Sequence, residues 1–228
     1  VIGILTILTA AIVVDELGPH EPLSHEEWGR FSRVRGPDGR LLVVHHGSGA
    51  DIEDFSYDFT DIGSDQHGSG FYFTTDLDEA RGYTVNRKEA DLIKLGGEGC
   101  PTILHTHLDI RDPLDSEAVG DISLEQVLEF IRQAPSDNWL VDWGDVKWEG
   151  RDSVITRAAG AYAVEDSNLV RALFSIANDM YSGQVEAFNR AVLGILGHDG
   201  VVHRLRGGGA HYIAFFPEQI RVVGRTRC

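Results

Sequence analysis

Four apolar residues, Leu41-Leu42-Val43-Val44, run directly into His45-His46-Gly47-Ser48. An uninterrupted apolar run that ends in polar residues is how a buried strand brings a side chain to the lip of a pocket. Residues 41–46 are therefore read as a strand that presents His46 and Gly47. Asp38-Gly39 turns the chain into it, as a hairpin would. A second, shorter strand, Phe71-Tyr72-Phe73-Thr74, follows Gly68-Ser69-Gly70. Thr75-Asp76-Leu77-Asp78 then offers an N-cap with an acid three residues on, which predicts a helix of about two to four turns starting near Asp76. Leu77, Ala80 and Tyr83 recur at spacings of three and are expected to share the face turned to the sheet.

Further along, Ile103–Ile110 alternates as a strand, with Pro113 expected to end it. The period then changes. Leu124–Ala134, Asp152–Ala163, Leu169–Tyr181 and Val185–Leu196 read as helices, with Ser123 and Ser167-Asn168 among their start signals. A tryptophan-containing stretch, Asn138–Trp148, lies between the first two, and Trp139, Trp143 and Trp148 are read mostly as core or interface residues. Gly197-His198-Asp199-Gly200 turns into a strand Val201–Leu205, and Gly207-Gly208-Gly209 is a loop tip. His211–Phe216 is an apolar strand closed by Pro217, and Ile220–Val223 continues the sheet. The total is α+β: one sheet drawn from the first half of the chain and its last 30 or so residues, with a helical insert over about 123–198. Residues 1–40 form an apolar segment and a punctuated connector, with a short helical turn near Ser24–Phe31, ahead of the main domain at 41–228.

Composition narrows the function. The chain has 228 residues, and 36 acidic against 20 basic residues give a formal net charge of −16. Such a balance opposes a broad phosphate-binding surface, so general nucleic-acid binding is not expected. Cys100 and Cys228 suggest no disulfide framework and no cysteine-based zinc site. Val1–Val14 is apolar almost throughout but shorter than the roughly 18–20 residues a membrane-spanning helix needs. It lacks the flanks of a signal peptide and is read as a packed helix or strand. The start at Val1 reads as part of something longer.

Three separated stretches carry the candidate chemistry: His46-Gly47-Ser48, Gly70-Phe71-Tyr72-Phe73 together with Tyr83, and the strand from His211 to Ile220. A tyrosine at a strand end and another on the next helix can set two aromatic planes about a flat ring apart, a slot in which a nicotinamide stacks. Gly47 lets its backbone approach and bond a carboxamide, and His46 can donate to a ribose hydroxyl. His105, His107 and Asp109 fall on one strand face and raise a metal-site alternative, but a solvated sheet face explains them better, and no metal is expected. Gly207-Gly208-Gly209 has neither the lysine nor the following helix of a phosphate loop.

These stretches resemble the ADP-ribosyltransferase superfamily, in its diphtheria-toxin and poly(ADP-ribose) polymerase branch with an H-Y-E signature. The closer resemblance is to the ADP-ribosyltransferase-like domains of phage polyvalent proteins. It is carried by His46-Gly47-Ser48, Phe55, Phe59, Ile62-Gly63, Gly68-Ser69-Gly70-Phe71-Tyr72-Phe73 and Ala80-Arg81-Gly82-Tyr83, then by Ile103–Leu114, Gly197–Val202 and Tyr212–Ile220. The resemblance implies a split, mixed or antiparallel sheet that clamps NAD as substrate. It implies cleavage of the nicotinamide–ribose bond, with ADP-ribose passing to a protein acceptor or to water. His46, Gly47, Ser48, Gly70, Tyr72, Ala80 and Tyr83 are the implied NAD contacts. His46, Tyr72, His211 and Glu218 are the catalytic candidates. The chain departs from the pattern at one place: His211 stands where the family's glutamate precedes Tyr-Ile, and Glu218, beyond Pro217, is expected to face solvent. Either His211 takes over the glutamate's role, or the domain is an NAD-binding or structural module of a virion or multidomain protein. The missing glutamate argues against polymer elongation. The resemblance places such a protein in the host cytoplasm or in the virion.

Overall fold

The apolar run ahead of His46 forms a strand, but the first three of its residues go into the turn that precedes it. In the computed structural model, which describes residues 25–49, 51–57, 68–85, 100–135 and 149–227, Arg35 bridges Leu41 and the Leu42 N–H donates to the Val34 carbonyl. Gly39, at φ +78°, closes that turn in a conformation suited to glycine. The strand itself, β1, spans Val44–Ser48. It is followed by β2 (Phe71–Thr74), β3 (Thr102–Leu108), β4 (Pro113–Asp115), β5 (Val119–Ile122), β6 (Val164–Asn168), β7 (Gly200–Arg204), β8 (Ala210–Ala214) and β9 (Ile220–Arg227).

Seven of these strands form one mixed sheet in the order β4-β7-β8-β2-β1-β3-β9, in which only β4 and β7 run parallel. Strand β1 is paired to β3 along its whole length, Val44 with Thr106 through Ser48 with Thr102. Strand β2 is paired to β8 along its whole length. Between β1 and β2, by contrast, the register holds a single pair, His45 with Thr74. Past it the two strands part, and the sheet is split there. Pro113 does not merely end a strand, since it opens β4 at the sheet edge, where its missing N–H costs least.

Helices α1 (His25–Trp28), α2 (Leu77–Val85), α3 (Leu124–Gln133), α4 (Arg151–Gly160), α5 (Leu169–Met180) and α6 (Val185–Leu196) complete the described elements. Ser123 and Gln126 form the capping box of α3, and the Asn168 side chain caps α5. The larger core joins α3, α4, α5 and α6 to one face of the sheet, with Phe130, Ile176, Tyr181, Phe188, Val201 and Ile213 among its members. A second core on the opposite face gathers Val34, Val44, Phe71, Phe73, Leu108 and Ala214. Strand β2 feeds both: Phe71 and Phe73 enter the second core, whereas Tyr72 packs against the first.

Two differences from the sequence reading have physical causes. The stretch 123–198 is not helical throughout, because β6 pairs antiparallel with β5 in a small separate sheet; both strands are short and, apart from Ile122, exposed or half-buried, so neither shows an apolar period. On α2 the buried residues are Ala80 and Thr84, while Leu77 and Tyr83 are 39% and 57% exposed. The helix lies so close to β1 that only small side chains fit beneath it. Among the described residues no helix is long and apolar enough to cross a membrane. Val1–Val14, Phe59, Ile62-Gly63, Trp139, Trp143 and Trp148 lie outside the described residues.

Candidate functional site

The parting of β1 from β2 is spanned by a side chain. His46 Nδ1 lies 2.8 Å from the Tyr72 carbonyl oxygen. A carbonyl can only accept, so Nδ1 carries the proton and Nε2 of the neutral ring is an acceptor, which reverses the donor role the sequence suggests for His46 toward a hydroxyl. The imidazole rests against Phe55 and Phe73, with ring centroids 5.3 and 5.6 Å away. His46 thus turns to the face of the second core, and Gly47, by strand alternation, to the face of α2.

Gly47 is held to glycine by its surroundings. A Cβ there would sit 1.9 Å from the Ala80 carbonyl oxygen and 3.1 Å from Tyr83 Cβ, so the backbone of α2 lies directly on it. The β1–β2 register, extended past its one pair, sets Gly47 opposite Tyr72. Tyr72 is half-buried; its hydroxyl donates to the Gly68 carbonyl at 2.6 Å, which fastens β2 to the glycine-rich lead-in. Gly70 permits β2 to approach β8, since a Cβ would come within 2.5 Å of the Ala214 carbonyl oxygen. Ser48 is buried at the end of β1 and Ala80 is fully buried on α2. Tyr83, on the last turn of α2, reaches Gly47 from the same side as Ala80. The structure therefore gathers His46, Gly47, Ser48, Tyr72, Ala80 and Tyr83 around the split.

His211 joins the same face one strand further on. It lies directly opposite Thr74 in the β2–β8 register, and its Nε2 is 2.9 Å from both carboxylate oxygens of Glu79 on α2. Glu79 Oε2 also accepts the Thr74 hydroxyl at 2.6 Å. Asp76 caps the helix beneath this pair, accepting the Asp78 and Glu79 N–H groups at 2.8 and 3.2 Å. On the other side His203 packs with its ring centroid 5.9 Å from that of His211, and its Nδ1 is 2.7 Å from the Ser116 hydroxyl. Glu218 is not brought to this group. It lies exposed in the 3-10 turn Pro217–Gln219 after β8, where its carbonyl accepts the Trp28 indole N–H at 3.2 Å.

A second histidine pair sits beside the closed end of the split. His45 and His105 approach through their Nδ1 atoms at 3.0 Å, and His105 Nε2 is 2.8 Å from the Thr226 hydroxyl. Burial, reinforced by the His105 ring, pushes the His45 pKa below its usual value, with Asp76 opposing. Asp109 does not join His105 and His107, because it is tied to the Arg111 guanidinium at 2.7 Å. Glu79 is the residue the sequence reading passed over. It looks like an ordinary first-turn acid of a capped helix, and the one hint was its position four residues before Tyr83, on the same helix face.

A seven-stranded mixed sheet that parts between its histidine strand and its tyrosine strand, with helix α2 packed against the parting, is an α+β fold of the ADP-ribosyltransferase kind. A family model described as ADP-ribosyltransferase in polyvalent proteins matches residues 37–226, and the chain belongs to this family. No curated protein and no solved structure matches it.

Proposed function

We propose that this chain cleaves the nicotinamide–ribose bond of NAD and passes ADP-ribose singly to a macromolecular acceptor or to water. The family supports ADP-ribosyltransferase activity in general and uses NAD as its substrate. The observation that carries the reading to this chain is the side-chain-free Gly47 at the split, pressed against α2, opposite Tyr72 and beside His46. Gly47 offers backbone groups to the carboxamide, and Tyr72 and Tyr83 stack on the nicotinamide from β2 and α2. His46, with its proton held by the Tyr72 carbonyl, accepts a ribose hydroxyl through Nε2. Ser48, Gly70 and Ala80 shape the floor on which these groups stand. His211 occupies the strand position of the family's glutamate, and the polyvalent-protein setting fits action in a host cell or a virion.

Calorimetry with NAD and an assay of released nicotinamide test this directly. The wild-type chain binds NAD and releases nicotinamide, and Tyr72→Ala or His46→Ala loses both. No binding at millimolar NAD overturns the reading. The replacement of glutamate by His211 favours one second reading, a domain that binds NAD without efficient transfer, and binding without nicotinamide release would select it.

A further inference from the structure

The sequence leaves a histidine where a carboxylate is expected, and the fold returns a carboxylate to that histidine from another element. Resting on the proposed NAD cleavage, we propose that Glu79 and His211 act as one base: Glu79 positions the imidazole, and His211 Nδ1 takes the proton of the attacking acceptor.

The geometry argues this in three steps. First, both Glu79 oxygens lie 2.9 Å from His211 Nε2. A carboxylate accepts, so Nε2 carries the proton and Nδ1 of the neutral ring carries the lone pair. This is the arrangement by which a carboxylate fixes the tautomer and orientation of a histidine base. Second, Glu79 is itself held. Thr74 donates to it, Asp76 caps its helix, and its neighbour Ala80 is fully buried where α2 meets Gly47. The carboxylate is therefore fixed relative to the glycine on which the nicotinamide reading rests, with Tyr83 one turn further along the same helix face. Third, the pair is sheltered yet reachable, with side chains 20% and 30% exposed for His211 and Glu79. An imidazolium formed there is met at once by the Glu79 negative charge.

The step balances. The bond from ribose C1′ to the nicotinamide nitrogen breaks with its electron pair, so nicotinamide leaves neutral. The acceptor oxygen bonds C1′, and its proton moves to His211 Nδ1 and then to solvent. The Glu79 charge stabilises both the oxocarbenium-like transition state and the imidazolium that follows. Among the described residues, the titratable groups around His211 are Glu79 from α2 and His203 from β7, the latter tied to Ser116. Asp76, His45 and His105 lie beyond Thr74, and Arg204 at the end of β7 pairs with Asp115.

The test measures the turnover number for nicotinamide release, together with NAD affinity by calorimetry, for the wild-type chain, Glu79→Gln, Glu79→Asp, His211→Ala and the double variant Glu79→Gln/His211→Ala. The pair predicts that Glu79→Gln lowers turnover by about 100-fold with NAD affinity unchanged. The loss falls on turnover and not on binding, which a merely structural role for Glu79 would not separate. The double variant is no slower than His211→Ala alone, as groups acting as a unit are not additive. Glu79→Asp keeps the charge but withdraws it from Nε2, and it loses turnover while binding NAD even where Glu79→Gln folds poorly. Retained turnover in the Glu79 variants, or turnover and NAD affinity lost together, overturns the pairing. A wild-type chain that binds no NAD overturns the parent reading instead.

Discussion

Gly47→Ala is the sharpest structural test of where α2 sits. The added Cβ would stand 1.9 Å from the Ala80 carbonyl oxygen and 2.9 Å from its carbon, against an ordinary contact of about 3.4 Å. Both atoms are backbone, so no side chain can swing aside, and the helix must retreat by about 1.5 Å. Retreat works against the Thr74–Glu79 hydrogen bond and the His211–Glu79 pair, which tie α2 to β2 and β8. Overpacking of this kind costs about 1–3 kcal/mol. The expected outcome is a lower midpoint in chemical denaturation with nicotinamide release abolished. Gly82→Ala, in the same helix with nothing within 4 Å of the added methyl, is the control. It should gain about 0.5–1 kcal/mol, since alanine loses less backbone freedom than glycine in a helix. A Gly47→Ala chain as stable and active as the wild type would refute the placement of α2 on β1.

Three further outcomes follow from other parts of the fold. Tyr181 is fully buried and its hydroxyl donates to the Phe130 carbonyl at 2.7 Å; burial pushes its pKa up, and Tyr181→Phe should lose about 1–2 kcal/mol in urea unfolding. Asp199 accepts the Arg111 and Asp112 N–H groups at 2.8 and 2.7 Å and anchors the Gln219 amide; Asp199→Ala strands two backbone donors and should cost about 2–4 kcal/mol in the same measurement. Folding lowers the His45 pKa below its ordinary 6.5, so near that pH the unfolded chain binds the extra proton more readily. That share of stability is complete above about 6.5 and is lost as pH falls below it. His45→Gln should flatten the fall in thermal midpoint between pH 7 and about pH 5, and an unchanged slope would remove His45 from the account.

The parts of the fold visible in the sequence are those whose residues answer to one local cause. Strand β2 runs from Phe71 to Thr74 as read, because an apolar run is bounded by Gly70 on one side and a helix cap on the other. Helix α6 spans Val185–Leu196 as read, ended by Gly197 in the left-handed conformation. Strands β5 and β6 stay hidden because four or five residues with a single buried side chain between them carry no period. The site divides in the same way. His46, Gly47, Tyr72 and His211 sit on or beside apolar runs that announce strands. Glu79 could not be found by such reasoning, because the imidazole it holds is 132 residues away and a capped helix already accounts for an acid in its first turn. Nor does local pattern reveal that β1 and β2 meet at one pair only, which is a property of how both halves of the sheet close on their other neighbours.

The central claim is that the split in this sheet cleaves NAD between nicotinamide and ribose. NAD labelled in the nicotinamide ring and NAD labelled in the adenylate half, incubated separately with the chain and a cell lysate, test it most directly. The account predicts that the ring label leaves as free nicotinamide, while the adenylate label is recovered on an acceptor or as ADP-ribose, and that Tyr72→Ala stops both. Both labels remaining together in intact NAD would contradict it.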